Sequence, residues 1–395
     1  MTKTILYFLA FITIGLISGS LGPTIPALAA QTNSAMHEIS SLFLVRSLGT
    51  MIGALLLGRL YDRVGGHPLL GASLLASAGA MAMIPSMDRL GPLLLLSVFL
   101  GIASGSINVG GNAMIVQVHG ERVRPHMSAL HFAFGLGGFL APMLYTRFLG
   151  ADNPMRVTYW ALAAMSIPAS LLILGSRSPH HHLRAHAAGA EPLPRGTLAL
   201  FLIFFFLEVG AEASVMGWYF SYAAERGIAA HTAGLMNSGF WAAFTLGRLA
   251  TIWLSVRFNA ISVIIGHVIF AGVIAIIMLL APASPWILWA GAIGFGLAVA
   301  PIFPSTFGYA QRLMGLSGKL TGFFLVGASA GGMFWPWLIG QFFQTRGPHV
   351  VMIIALLDLV GALIAVLVLH AWYAKSPAET VPVAEAIGEG QTEPL

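Results

Sequence analysis

Long apolar runs, separated by short polar or turn-forming breaks, are the feature that most limits how this chain can fold. Twelve runs reach roughly 20 to 27 residues, the length that an α-helix needs to cross a lipid bilayer. Backbone groups in lipid must be hydrogen-bonded within the chain, so such runs predict helices rather than strands. We therefore expect an all-α membrane protein whose spans, numbered 1 to 12, occupy residues 4–29, 39–60, 68–86, 92–118, 126–148, 156–175, 197–224, 231–255, 260–281, 285–312, 319–344 and 349–373.

The composition agrees with this expectation and excludes several classes of protein. Only 8% of the residues are charged and 57% are hydrophobic, whereas about 25% of the residues in a soluble domain are charged. The net charge of +5 is small and spread over loops, so we expect no nucleic-acid partner. The chain has no cysteine, which excludes disulfides, thiol catalysis and thiolate metal sites. No catalytic triad or metal-ligand cluster stands out, so we expect neither an enzyme nor a cofactor. We also expect a monomer.

The first apolar run allows two interpretations. Lys3, the apolar run that follows it and the segment Ala27–Ala29 resemble a signal peptide with its cleavage site. The run from Thr4 to Ala29 is, however, longer than the apolar core of a signal peptide, and Gly15 has a counterpart in Gly210. These features favour a retained first span.

The two halves of the chain repeat each other at an offset of about 194 residues. Glycine and proline recur where the backbone must approach closely or bend, so matched positions indicate matched geometry. A repeat of this size within a membrane protein is typical of transporters in which two bundles move around a central site. The matched pairs are Gly53 and Gly247, Arg63 and Arg257, Gly137 and Gly331, Gly138 and Gly332, Pro142 and Pro336, and Pro154 and Pro348.

The repeat predicts two pseudo-symmetric six-helix bundles, at residues 1–175 and 197–373. Residues 176–196 form a cytoplasmic linker rich in His, Ala, Pro and Arg, and its run His180–His182 lacks a second cluster that could complete a metal site. Residues 374–395 combine glutamates with small residues and prolines, which predicts a disordered cytoplasmic tail.

The orientation follows from lysine and arginine, which are enriched in cytoplasmic loops. With both termini inside, 12 of the 19 basic residues lie in cytoplasmic segments and 5 lie outside, and Arg46 and Arg248 fall within spans. We therefore expect a multi-pass protein of the inner (plasma) membrane with both termini in the cytoplasm.

The loop between spans 2 and 3 reads GRLYDRVGGH from Gly58 to His67. It resembles the G-x-x-x-D-R-x-G-R-R signature of the major facilitator superfamily, at the loop where that family carries it. The resemblance implies the major facilitator fold and gating roles for Gly58, Asp62 and Arg63. Gly66 and His67 stand where the signature has basic residues, so the loop is expected to hold the cytoplasmic side closed less firmly.

Three shorter stretches carry a finer resemblance: NVGGN at Asn108–Asn112, LHFAFG at Leu130–Gly135 and EVGAE at Glu208–Glu212. They look like the branch of the superfamily that contains the fucose permease and the sodium-dependent glucose transporters. The resemblance implies a monosaccharide substrate that is carried together with a coupling cation.

Ionisable residues inside a span cost about 2.5–3.5 kcal/mol on insertion scales and are functional candidates by default. Glu208 and Glu212 lie one turn apart on one face of span 7, about 6 Å apart along its axis. Two such close carboxylates favour sharing a proton or holding a cation, so we expect proton or sodium coupling there. The alternative is a structural ion pair with Arg46 or Arg248. The other intramembrane ionisable residues are His131, His267 and Asp358, and the last two are interpreted as structural.

Arg46 is a gating candidate, since spans 2 and 7 approach each other at the outer gate in the superfamily. A breakable pair with Glu212 and a permanent tie between helices are equally open interpretations. Arg248, in the inner half of span 8, is interpreted as structural.

Candidate substrate ligands are amides, a histidine and two tryptophans. Amides donate and accept hydrogen bonds, as sugar hydroxyls require, and aromatic faces suit stacking on a pyranose ring. Helix packing is the alternative role for each of them. The candidates are Asn108, Asn112 (the stronger of the two amides), Gln117, His131, Trp241 and Trp335.

The sequence therefore predicts a cation-coupled monosaccharide symporter that works by alternating access. A proton-driven efflux antiporter for amphipathic compounds is the second interpretation. In either case, the partners of the protein would be a small-molecule substrate and the lipid bilayer.

Overall fold

The computed structural model describes residues 2–61, 63–179, 195–281, 284–314 and 318–375. The regular elements in these ranges are helices, and twelve helical stretches are long and apolar enough to cross a membrane. The predicted all-α fold with twelve spans is therefore confirmed. Asp62, residues 180–194 of the predicted linker and residues 376–395 of the predicted tail lie outside the described residues.

Ten of the spans are formed by one long helix each, and spans 2 and 10 are formed by two. In chain order the helices are Thr2–Gln31, Met36–Ile39 with Ser41–Tyr61, Gly66–Met83, Leu90–His119, Val123–Arg147, Pro154–Leu174, Arg195–Glu225, Ala230–Arg257, Ala260–Leu280, Pro285–Val299 with Ile302–Met314, Gly318–Arg346 and Val350–Lys375.

Matched glycines of the two halves make matched contacts. A side-chain carbon on Gly137 in span 5 would meet the carbonyl oxygen of Ile12 in span 1. A side-chain carbon on Gly331 in span 11 would likewise meet the carbonyl oxygen of Phe206 in span 7. Ile12 and Phe206 are themselves 194 residues apart, so the same close helix crossing is built twice. The sequence repeat is therefore a repeat of helix packing, in which small residues let two backbones approach.

Span 10 is interrupted in the middle of the molecule. Its two helices end at Val299 and begin at Ile302, and Pro301 between them has no N–H with which to continue the hydrogen-bond ladder. Nδ1 of His267 in span 9 lies 2.9 Å from the carbonyl oxygen of Ala298, in the last turn before the break. His267 thus satisfies the backbone at the interruption, which agrees with its structural interpretation.

The two halves meet near one end of the molecule. We call this end, which holds the loops at residues 32–35 and 226–229, the distal face, and the opposite end, where span 1 begins at Thr2 and span 12 ends at Lys375, the terminal face. Span 1 packs against span 7, span 2 against span 11, and span 5 against span 8. Spans 4 and 10, as far as they are described, do not pack closely against the opposite half.

Hydrogen bonds and ring contacts close the distal face. Nε2 of Gln341 in span 11 donates to the carbonyl oxygen of His37, at 2.9 Å, and to Oγ of Ser40, at 3.2 Å. The rings of Tyr145 in span 5 and Phe220 in span 7 meet edge to face, with centroids 5.9 Å apart. The space between the halves is therefore closed at the distal face and opens toward the terminal face.

Candidate substrate-binding cavity

A cavity of about 410 Å³ lies between the two halves. Its size falls within the usual range for small-molecule sites, roughly 300–1,000 Å³. Spans 1, 2, 4 and 5 of the first half and spans 7, 8, 10 and 11 of the second half contribute to its wall. The charged and polar residues of the wall are Ser18, Arg46, Ser47, Thr50, Asn108, His131, Glu212, Arg248 and Ser329, and the aromatic residues are Phe11, Phe43, Phe134 and Phe303.

The two acidic residues of span 7 lie one helical turn apart beside this cavity. Glu212 lies on the wall, whereas Glu208, one helical turn nearer the terminal face, is fully buried and does not line the cavity. Both carboxyl oxygens of Glu208 and Oε2 of Glu212 have no hydrogen-bond partner among the described residues. Buried polar groups are normally paired. This pair is therefore open to a proton or a small cation.

Arg248 is a cavity residue, although its sequence position favoured a structural role. It lies on the wall, and its guanidinium carbon sits 4.5 Å from the centroid of the Phe244 ring. Its Nε is buried and has no hydrogen-bond partner within the described ranges. It shares this wall with Glu212, which lies on span 7 of the same half. Its intramembrane charge was the sequence signal that could have identified it.

Arg46 is held in the cavity wall by the backbone of span 1. Its NH1 donates to the carbonyl oxygen of Ile17, at 3.1 Å. No ion pair joins Arg46 to Glu212 in the part of the chain that the structure describes, although both residues line the cavity. The gating pair considered from the sequence is thus not formed in this conformation, and a tie between spans 1 and 2 is present.

The two amides of span 4 differ in what they reach. Asn108 lines the cavity. Asn112, one turn nearer the terminal face, donates from Nδ2 to the backbone carbonyl of Asn108, at 2.8 Å, and to its Oδ1, at 3.2 Å. Asn112 is outside the cavity wall, so the geometry favours Asn108, which is the reverse of the order expected from the sequence.

His131 lines the cavity, whereas the tryptophans and the glutamine do not. Trp241 is fully buried, and its ring centroid lies 5.6 Å from that of Phe134. Trp335 packs over Gly210, and its Nε1 is buried without a partner among the described residues. Gln117 is half-buried, further toward the terminal face. Trp241 therefore lies behind the wall, in ring contact with the cavity residue Phe134 and with Phe244, over which the Arg248 guanidinium sits.

The loop that resembles the superfamily signature lies at the terminal face. A side-chain carbon on Gly58 would lie 3.4 Å from Cγ1 of Val109, so span 2 approaches span 4 there. Arg63 is exposed, and its backbone N–H donates to the carbonyl of Leu60, at 3.0 Å. The described residues offer no hydrogen-bond partner to the Arg63 side chain, and Asp62 is not described. The terminal face is open, so the contact expected of this loop in the opposite state is not formed.

The sequence did not predict the structural role of His67, at the end of the same loop. It is fully buried. Its Nε2 lies 2.7 Å from the hydroxyl of Tyr7 in span 1, and its Nδ1 lies 2.7 Å from Oγ of Ser176, just after span 6. His67 thereby ties the start of span 3 to spans 1 and 6. Its place in the signature was the available signal.

Comparison with known proteins identifies related transporters. The profile of the Major Facilitator Superfamily matches residues 5–336. Over 372 residues the chain is 29% identical to sodium-dependent glucose transporter 1A of Mus musculus, across 84% of this chain and 88% of the relative. It is 24% identical over 438 residues to major facilitator superfamily domain-containing protein 4A of Xenopus tropicalis, across 88% of this chain and 87% of the relative.

Solved structures share the arrangement of spans. A mutant of the nucleoside transporter NupG superposes with a TM-score of 0.76 at 15% identity, over 93% of this chain and 98% of that one. A bacterial homologue of the human lysosomal transporter Spinster, in an inward-facing and occupied conformation, superposes with a TM-score of 0.71 at 13% identity, over 94% of each chain. At these identities the likeness concerns the fold.

Proposed function

Because this chain belongs to the Major Facilitator Superfamily of membrane transporters, we propose that it carries a monosaccharide across the membrane together with a proton or a sodium ion. The observation that carries the proposal is the placement of Glu212 on the wall of the central cavity, with Glu208 buried one helical turn away on the same span. The sodium-dependent glucose transporters among its relatives support the same substrate and the same kind of coupling.

The coupling site is the carboxylate pair of span 7. A proton or sodium ion there neutralises negative charge that the described residues leave without hydrogen bonds. Binding of the cation changes the electrostatic potential in the cavity that the sugar enters, and thereby tightens sugar binding. Thermodynamic linkage then requires the sugar to tighten cation binding by the same factor.

The sugar site is the rest of the cavity wall. Asn108, Ser47 and Thr50 provide donors and acceptors for hydroxyl groups. Phe11 and Phe134 provide apolar faces for the ring carbons. Transport follows when the halves separate at the distal face and close at the terminal face, which moves the opening of the cavity from one side of the membrane to the other. With the terminal face in the cytoplasm, the conformation described here is open to the inside.

The second candidate is a proton-driven efflux antiporter for amphipathic compounds. Four phenylalanines on the cavity wall favour it, since apolar rings bind such compounds without directed hydrogen bonds. The carboxylate pair would then carry protons in the opposite direction to the substrate.

Uptake into proteoliposomes separates these proposals. The purified protein is reconstituted, and uptake of radiolabelled D-glucose, D-galactose, L-fucose and D-glucuronate is measured under imposed sodium or proton gradients. We expect one gradient to drive accumulation of at least one sugar above equilibrium. If none of these sugars accumulates or exchanges, sugar symport is wrong, and proton-driven extrusion of an amphipathic dye is the result that would favour the antiporter.

A further inference from the structure

The charges on the cavity wall restrict the kind of sugar that fits. Arg46 and Arg248 supply two cations, and Glu212 with the buried Glu208 supplies two carboxylates. Once a coupling cation has joined the carboxylate pair, the site holds one positive charge in excess. An excess charge in a low-dielectric site is costly unless a ligand of opposite sign neutralises it.

The excess charge resides on Arg46. Arg248 lies on span 8, in the same half of the molecule as the two carboxylates of span 7, and shares the cavity wall with Glu212. Arg46 instead lies on span 2, and its hydrogen-bond partner in the described ranges is the carbonyl oxygen of Ile17. That bond uses one of the five N–H donors of a guanidinium. The remaining donors belong to a cavity-lining residue that has no described carboxylate as its partner.

The neighbours of Arg46 suit a sugar that carries an acid group. Ser47 and Thr50 lie on the same stretch of span 2 and also line the cavity. The hydroxyl of Thr50 donates to the backbone carbonyl of Arg46, at 3.0 Å, so its oxygen remains able to accept a bond from a sugar hydroxyl. A guanidinium presents paired donors that match the two oxygens of a carboxylate.

We propose that the substrate is an acidic monosaccharide, a sugar ring that bears one carboxylate, and that Arg46 binds this carboxylate. The proposal rests on the cation-coupled sugar transport proposed above and specifies its substrate class. The bound anion balances the charge that the coupling cation brings, so neither ligand is favoured without the other.

The test is proteoliposome uptake with matched substrates under the gradient that drives accumulation. D-Glucuronate is compared with D-glucose, which lacks the charge, and with L-lactate, which lacks the sugar ring. We expect uptake of glucuronate to exceed uptake of each of the other two by about tenfold or more, the range of a charge-assisted hydrogen bond.

Variants then test Arg46 itself. Arg46→Gln should lower glucuronate uptake about tenfold to hundredfold and remove the preference over glucose. Arg46→Lys should recover part of the loss, since lysine keeps the charge and loses the paired donors. The matched control is Arg156→Gln, because Arg156 is exposed on span 6 and faces Trp160. Thermal stabilisation of the wild-type protein by glucuronate and not by glucose provides a second readout that needs no variant.

Each outcome bears on one proposal. Accumulation of glucose without a preference for glucuronate overturns the acidic substrate and leaves cation-coupled sugar transport standing. Equal uptake of lactate and glucuronate overturns the sugar acid as the substrate class. A preference for glucuronate that survives in Arg46→Gln overturns the assignment to Arg46. Failure of every sugar, neutral or acidic, overturns the proposed function itself.

Discussion

Gly22 in span 1 and Gly217 in span 7 occupy equivalent places in the two halves and pack against each other near the distal face. A side-chain carbon on Gly22 would lie only 2.8 Å from the carbonyl oxygen of Gly217. The two residues are 195 positions apart, so equivalent backbones of the two halves meet where the cavity is closed. Closure of the distal face therefore depends on the absence of side chains at this crossing.

Replacement of Gly22 by valine should hold the distal face open, because the new side chain meets backbone rather than a side chain that can move away. The chain has no cysteine, so spin labels can be placed at His37→Cys and His231→Cys, on opposite sides of the distal face, without further changes. Pulsed electron paramagnetic resonance should report longer distances in Gly22→Val. Gly79→Val is the control, since nothing lies within 4 Å of a carbon placed on Gly79. An unchanged distance distribution in Gly22→Val would contradict the assigned closure.

Gln341→Ala should also favour opening of the distal face, through lost hydrogen bonds rather than a clash. The variant removes the donors to the carbonyl of His37 and the hydroxyl of Ser40. At about 1 kcal/mol for each of the two hydrogen bonds, the ratio of open to closed molecules should rise about thirtyfold. Gln344→Ala is the matched control, because Gln344 accepts one longer bond, at 3.4 Å, from the backbone N–H of Met36. The same labelled pair measures both variants, and an equal response in the two would argue against a special role for Gln341.

Glu212→Gln should abolish uptake against a gradient and leave exchange of sugar across the membrane. The amide keeps the shape of the side chain but cannot be neutralised by a cation, so binding of the substrate is no longer coupled to the ion. Glu225→Gln makes the same chemical change at an exposed position of the same helix and should leave uptake unchanged. Accumulation by Glu212→Gln at the wild-type level would remove Glu212 from coupling.

The repeated crossings should be equally intolerant of side chains. Gly137→Ala and Gly331→Ala each push a carbon into the carbonyl oxygen of the helix opposite. Such overpacking costs about 1–3 kcal/mol, so thermal unfolding in detergent should shift to lower temperature in both variants. Gly266→Ala is the control, because a carbon placed on Gly266 meets nothing within 4 Å. A variant at either crossing that unfolds like the control would mean that the helices separate there at little cost.

The fold was predictable because its determinants are local. Span length is visible in apolar runs, and the close crossings are marked by glycines such as Gly137 and Gly331. The candidate site was less predictable, since a membrane helix is apolar around most of its circumference and its hydrophobic pattern does not show which face borders a cavity. Glu212 and Asn108 could be predicted from the sequence because they are polar residues within apolar spans.

Asn112 and Trp241 show where such reasoning fails. Asn112 lies on the same helix face as Asn108, but its amide bonds to Asn108 one turn away instead of reaching the cavity. Trp241 lies deep in its span, yet its ring fills the space over Gly138, behind the wall. Arg248 is the opposite case, because the sequence favoured a structural role for it and yet it lines the cavity. Its depth in span 8 does not reveal that span 8 turns that face toward the cavity.

Reciprocal binding of cation and sugar is the most direct measurement of the central claim. Calorimetry on the purified protein would give the dissociation constant of the accumulated sugar with and without the coupling cation, and that of the cation with and without the sugar. The account predicts that each ligand tightens the other by the same factor, and that the factor falls to one in Glu212→Gln. Sugar affinity that is identical with and without the cation in the wild-type protein would contradict it.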